Sequence, residues 1–374
     1  MIGITGRWAA GLSAGGSSDI ISTDEFRKFK LVESTGNTLP DFEFNFCTSN
    51  PNVITIISEN IPLSAGMGID SLALTTSILP LKKKISRATH DSYDITVSGL
   101  YNKINYMTQG QTGTTPKMSA MSAIVQKASE FFNMDVGTSS SNDSQNWVQH
   151  GIPALSHIQK MWTRADLGSS NFPMIGITSD GTFRLRTLSD LLGAGPSWVF
   201  SVKGTGGNVI AYNSDYVIEN NSGFTNYWAG YQSQVGQTNI DSGSESQLMS
   251  AIASGFGISA GIEQSSGAGS KLISGLLKTA NQHDNYHQAH INNVANLAVF
   301  SSNKLTLSVS NIYFPIKVLD VATFLDDMQV SGTMESYSGN WIVTKVARCI
   351  QGWKFNTTVE MCRDSANMVS QGLD

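Results

Sequence analysis

The sequence predicts a mainly β protein with α+β insertions, in which two antiparallel β-barrels flank a mixed α+β domain. Three observations carry that reading. Short runs rich in Val, Ile, Phe and Tyr, punctuated by Gly, Asn, Pro and Ser, fill residues 1–112. Helical spacing followed by an Asp-Gly hairpin signal occupies residues 113–200. After Ala298 a β pattern returns and holds to the end of the chain.

In the first segment, Lys28–Ser34, Asp41–Thr48, Val53–Ser58, Ser71–Leu79 and Tyr93–Leu100 read as strands. Phe42, Phe44 and Phe46 alternate with polar residues, as on a half-buried strand. Short strands at this spacing fit a small barrel or sandwich. Gly110–Pro116 reads as a linker. Ser119–Met134 has helical spacing, Thr138–Ser144 is a polar loop, and Pro153 opens a second helix to about residue 166, ended by Gly168. Phe172–Thr178 and Thr182–Thr187 flank Asp180-Gly181, a turn pair that matches strand twist.

Strands resume at Trp198–Lys203, Val209–Tyr212 and Tyr216–Glu219. Residues 236–270 are rich in Gly and Ser with helix-compatible patches such as Gln247–Ala253, and Lys271–Asn285 reads as helix continuing toward Asn296. The last runs are Lys304–Ser310, Ile316–Val321, Asp327–Met334, Trp341–Ile350 and Phe355–Arg363. The expected division is a first barrel at 1–112, an α+β domain at 113–200, and a second barrel at 201–240 and 297–374. A Gly/Ser-rich and helical insertion at 241–296 interrupts that second barrel. No clean internal repeat relates the two β units.

A length of 374 residues suits two or three domains and a large core. Charged residues make up 14%, well under the ~25% usual for soluble proteins. Such a neutral polar surface suits broad contacts with fixed partners, because few charges must be desolvated, and composition alone equally suits a β-rich protein with many turns. The net charge of −5 argues against a nucleic-acid-binding surface. Lys82, Lys83 and Lys84 form the one basic run, expected as a solvated turn after Pro80. The amino terminus lacks a signal-peptide pattern, and no apolar stretch approaches the ~20 residues of a membrane helix. No membrane insertion is expected, and the chain is expected to stay in a cytoplasm unless a dedicated machine moves it. Cys349 is expected opposite about Asn356, too far from Cys362 for a disulfide. With Cys47, three free thiols fit a reducing compartment.

The search for chemistry returns no catalytic, cofactor or metal site. Gly11-Leu-Ser-Ala-Gly15 has the spacing of a nucleophile elbow around Ser13, but Gly-Ser loop residues follow where a helix is required. His283, His287 and His290 stand at i, i+4 and i+7, a spacing metals favour. The metalloprotease Glu is missing and polar neighbours surround them, so a solvated histidine stripe is expected. Gly267–Lys271 fails the phosphate-loop pattern, and Gly204–Gly207 reads as a turn. Asp180 belongs to a turn and Asp326-Asp327 to an interstrand segment, so no glycosidase pair of carboxylates emerges.

Ser338 to Ser365, with Trp341, Trp353 and the terminal Arg363-Asp364-Ser365, resembles the closing hairpin of baseplate hub proteins of contractile phage tails. That family includes late-control proteins and the amino-terminal part of type VI secretion spike proteins. Met161 to Leu185 is similar to the helix-to-hairpin step of the family's middle domain, and Ser58 to Leu63 is a third match in the first barrel. The resemblance covers the whole layout, and the order of motifs carries it. It implies a non-enzymatic homotrimer whose six barrels surround a channel, with a hexameric tail tube protein above and a trimeric central spike below. Other baseplate and tape-measure proteins are expected partners, and DNA only as cargo passing the channel. Because the sequence stops soon after the second barrel, the spike is expected as a separate polypeptide. The expected location is the virion tail baseplate, assembled in the host cytoplasm. The other classes weighed are a virion-associated cell-wall or polysaccharide hydrolase and a receptor-binding tail protein.

Overall fold

A computed structural model describes residues 9–14, 21, 25–59, 61–69, 72–169, 171–203, 208–213, 215–220, 234–242, 244–249, 273–279, 281–301, 303–326, 335–364 and 367–368. The protein is mainly β with helices inserted, as the sequence predicts.

The first β unit contains β1 (Ala9–Ala14), β2 (Phe26–Ser34), β3 (Asp41–Thr48), β4 (Leu63–Ile69), β5 (Leu72–Arg87) and β6 (Tyr93–Tyr101). Alternation works as period-two geometry demands: Phe42, Phe44 and Phe46 are buried, the rings of Phe42 and Phe44 meet those of Phe26 and Phe29, and Phe46 meets Phe44, edge-on or tilted at 5.6–6.3 Å. Val53–Ser58, expected as a strand, is the end of helix α1 (Pro51–Ser58). The Asn50 side chain accepts from the Asn52 amide and Pro51 sits in the first turn, so a strong helix start overrides β-branched propensity. Val53 and Ile57, four apart, then face the sheet core. The Lys82–Lys84 run is not a turn but the middle of β5; Lys83 Nζ donates to the carbonyls of Ser58 and Glu59 at the carboxy end of α1.

The middle unit follows α2 (Ile104–Thr108). Gly110–Pro116, expected as a linker, lies in strand β7 (Gly110–Met118), paired antiparallel with β9 (Gln145–Pro153). Its Gly and Thr content hides a strand whose ladder comes from a distant partner. Helix α3 (Ala120–Ala128) is shorter than expected, because the chain turns and forms β8 (Asn133–Val136). Helix α4 (Ala154–Trp162), which begins just after Pro153, packs Ile158 and Met161 into the core under α3. The hairpin β10 (Pro173–Ile177) and β11 (Thr182–Thr187) forms as expected, with β8 parallel to β11. Helix α5 (Leu188–Gly193) starts on a Thr187/Asp190 capping box.

The remaining strands are β12 (Trp198–Ser201), β13 (Val209–Ala211), β14 (Tyr216–Asn220), β15 (Gln234–Asn239), β16 (Glu245–Met249) and β17 (Ile273–Lys278). They are followed by helix α6 (Tyr286–Phe300), β18 (Asn303–Ser310), β19 (Val321–Phe324), β20 (Glu335–Ser336), β21 (Gly339–Gln351), β22 (Lys354–Arg363) and β23 (Asn367–Met368). Two helix expectations fail here. The start of Gln247–Ala253 is strand β16, and Lys271–Asn285 contains strand β17, with the helix beginning only at Tyr286. β15 supplies the ladder for both strands, which local pattern does not reveal. Ile316 and Val318 are buried in irregular chain, and the strand expected there starts at Val321. Asp327–Met334 lies outside the described residues.

β2 pairs antiparallel with β21, from Lys28↔Gln351 to Ser34↔Lys345, so both β units share one 13-stranded sheet. Among the described residues its ladders do not close into a ring; β1, β13 and β14 each pair on one side. The closing hairpin turns through Gly352 and Trp353, with φ of 55° and 66°, the two left-handed residues of a tight hairpin turn. Nothing lies within 4 Å of a Cβ placed on Gly352. Gly352→Ala therefore adds only backbone strain, and urea unfolding is expected to show a loss of about 1 kcal/mol.

Candidate functional site

The most elaborate polar arrangement lies where the tip of the β10–β11 hairpin meets both β units. Glu33 on β2 and Arg348 on β21 form a buried ion pair at 3.3 Å. Oε1 of Glu33 also accepts from the backbone amide and hydroxyl of Ser179, at 2.7 and 2.6 Å. Arg348 donates to the Ile316 carbonyl at 2.5 Å. Thr76 on β5 donates to the Ser179 carbonyl at 2.8 Å. One hairpin tip is thereby bonded to β2 and β5 directly and to β21 through Glu33. Gly181, at φ 79°, lets the tip approach Tyr101: a Cβ there would fall 2.4 Å from the Tyr101 hydroxyl.

Three further ion pairs fix the other side. Lys317 reaches Asp180 at 2.7 Å. Burial works against ionisation of Asp180, but bonds from Lys317, Thr178 and Thr182 outweigh it and hold the carboxyl down at about 2. Arg184 bridges Asp135 and Asp320 at 2.8 and 2.7 Å and donates to the Val318 carbonyl. A cavity of about 260 Å³ opens at the junction, with Phe29, Leu31 and Met67 on its apolar side and Thr75, Lys317 and Arg348 on its polar side. The carboxylates here are engaged by cations and amides, an arrangement suited to locking segments together.

The sequence candidates fall elsewhere. Ser13 lies inside β1, paired with Ser64, in extended chain rather than at a strained elbow. Gly267–Lys271 and Gly204–Gly207 lie outside the described residues, as does Asp327. Asp180 serves the junction, and Asp326 accepts from Tyr216 at 2.8 Å. The cysteines are free, and Cys349 faces Asn356 as expected. Cys362 is fully buried, which pushes its thiol up to about 12, whereas Cys47 and Cys349 are half-buried.

The histidine stripe is only partly solvated, with His287 buried and His283 and His290 half-buried. His283 precedes α6, so the i, i+4, i+7 face is broken at its first member. Nε2 of His283 donates to the Arg164 carbonyl at 3.2 Å, and Nε2 of His287 to the Leu277 carbonyl at 3.1 Å. Tyr286 between them stacks beneath the Arg164 guanidinium at 4.9 Å and is packed in the middle-unit core. Burial holds all three rings below their ordinary pKa, with Arg164 adding to the effect at His287 and His290. No cluster of three or more His, Cys, Asp or Glu poised for a metal occurs among the described residues. Glu33, Arg348 and Arg184 were not legible as site residues, since Glu33 and Arg348 are 315 positions apart.

No protein-family model matches the chain, and no curated sequence matches it. Solved structures do. A tail protein from Neisseria meningitidis MC58 is 10% identical with a TM-score of 0.60, covering 96% of this chain and 97% of that one. The 43 kDa tail protein of prophage MuSo2 from Shewanella oneidensis is 10% identical with a TM-score of 0.58 and the same coverage. The chain thus has the fold of phage tail proteins along nearly its whole length.

Two outcomes follow from this chemistry. Glu33→Gln or Arg348→Met alone is expected to cost about 3–5 kcal/mol in urea unfolding, because each strands a buried charge. The double variant Glu33→Leu/Arg348→Met is expected to lose less than the sum. His157, buried beside Lys127 and Lys160, is lowered to about 4, and the three rings near Arg164 are lowered too. Their neutral state stabilises the fold fully above pH ~6.5, and this is lost as pH falls toward the folded-state values. Unfolding midpoints should therefore drop from pH 7 to 5, and His157→Gln should flatten the decline.

Proposed function

We propose that this chain is the structural hub of a contractile phage-type tail baseplate. In this reading three copies form a pseudo-sixfold ring that joins a hexameric tail tube to a trimeric central spike. The observation that carries it is the pairing of β2 with β21, which joins two β units of one chain into a single sheet. Two such units per chain give three copies six-fold character, matching a sixfold tube to a threefold spike. The fold shared with two phage tail proteins over nearly their full lengths supports this reading. The division into two β-barrels, a clamped α+β domain and an insertion at 241–296 belongs to the proposal. So do the non-enzymatic role, the virion location, contacts with other baseplate and tape-measure proteins, and passage of DNA through the channel.

Native mass spectrometry tests it. The expected species contains three 40.2 kDa chains, alone or bound to its spike with the spike's mass added. A stable monomer under both conditions overturns the reading.

A further inference from the structure

The outer face of β5, β6, β3, β2 and β21 is open, and its charges run opposite to those of the whole chain. Its side chains stand in registered rows. Lys82, Ser98, Glu43, Lys30 and Cys349 make one row. Lys84, Thr96, Asn45, Lys28 and Gln351 make the next. Lys345 stands beside Ser34. Lys28 pairs with Glu43 at 2.8 Å and Arg27 with Asp94 at 3.4 Å. Lys30, Lys82, Lys84 and Lys345 are exposed and form no ion pair among the described residues.

Three of those lysines, Lys30, Lys82 and Lys345, border an open trough of about 480 Å³ floored in part by Val32 and Leu100. Leu81 stands beside it, 59% exposed. The trough has a structural cause: a bulge between Pro80 and Lys82 lets β5 cross Gly99, where a Cβ would fall 2.1 Å from the Leu79 carbonyl oxygen.

Six cations (Arg27, Lys28, Lys30, Lys82, Lys84, Lys345) against three carboxylates (Asp41, Glu43, Asp94) leave this face at +3. The chain carries −5, so everything outside the face carries −8. A like net charge opposes association of identical chains, and a face of reversed sign offsets that opposition where it meets the acidic remainder. A closed ring of identical chains also requires two different, complementary surfaces on each copy. We propose that this lysine face receives the acidic surface of a second copy of the chain, head to tail, with Leu81 and the trough as its apolar anchor. The proposal rests on the trimeric reading above.

Lys30→Glu/Lys82→Glu/Lys345→Glu, compared with wild type and with Lys117→Glu on the exposed part of β7, tests it by sedimentation and native mass across a dilution series. The triple variant is expected to keep its circular dichroism and to need at least tenfold more protein to assemble, with Lys117→Glu unchanged. Should reversal unfold the chain, Lys30→Gln/Lys82→Gln/Lys345→Gln is read in its place, with a smaller shift in the same direction. A trimeric wild type whose folded triple variant assembles at the same concentration overturns the inference and leaves the trimer standing. A wild type that stays monomeric, alone and with the spike, overturns both.

Discussion

Arg348 and Glu33 meet inside the protein although 315 positions separate them, because β2 and β21 lie in one ladder. Closing so long a loop costs entropy that only a long ladder and a buried contact offset. The ladder runs over seven registered positions, and Ile350 and Phe355 from the closing hairpin enter the core of the first β unit. The ion pair adds selectivity. A shift of β21 by one residue would turn Arg348 to the other face and leave Glu33 buried without its cation. The pairing therefore sets register as well as proximity, and the middle hairpin reads that register through Ser179.

That hairpin is the second constraint. Its tip is small (Ser179, Asp180, Gly181), and each residue has a separate task. Ser179 binds Glu33, Asp180 binds Lys317, and Gly181 leaves room for Tyr101. A loop held only by apolar packing slides; one held by directional bonds to two β units does not. The middle unit is thus bonded to both β units, through Ser179 to Glu33 and Thr76 on one side and through Asp180 and Arg184 to Lys317 and Asp320 on the other.

The sequence made some of this legible. The Phe42–Phe46 alternation, the Asp-Gly hairpin, and the opposition of Cys349 to Asn356 follow from local geometry, and the structure contains all three. What failed has a common cause. β7 and β17 are strands because a strand well separated in sequence supplies their hydrogen bonds, while their Gly, Ser and Thr residues locally resemble linker or helix, and β16 is one because it folds back on β15. Val53–Ser58 failed in the other direction, since Asn50-Pro51 begins a helix that β-branched residues then continue. The histidines near Arg164 looked solvated because their neighbours in sequence are polar, yet their neighbours in space are Trp147, Tyr286 and backbone carbonyls. The junction left no local signal at all, since its members come from β2, β5, β21, the hairpin tip and the segment around Lys317.

Charge is scarce here, at 14% of residues, and its placement is informative. One group of charges is spent internally: Glu33, Arg348, Arg184 and Asp320 hold segments in position and are shielded from salt by burial, with the half-exposed Asp135 pairing Arg184 at the edge. Another group stands on the outer face of the shared sheet, where four lysines have no ion-pair partner among the described residues. The two groups are connected. Lys345 and Arg348 lie three apart on β21 and point to opposite faces, as do Lys30 and Glu33 on β2. The register that buries Glu33 with Arg348 is therefore the same register that puts Lys30 and Lys345 outward, so the interaction that holds the chain together also fixes the charge pattern it presents.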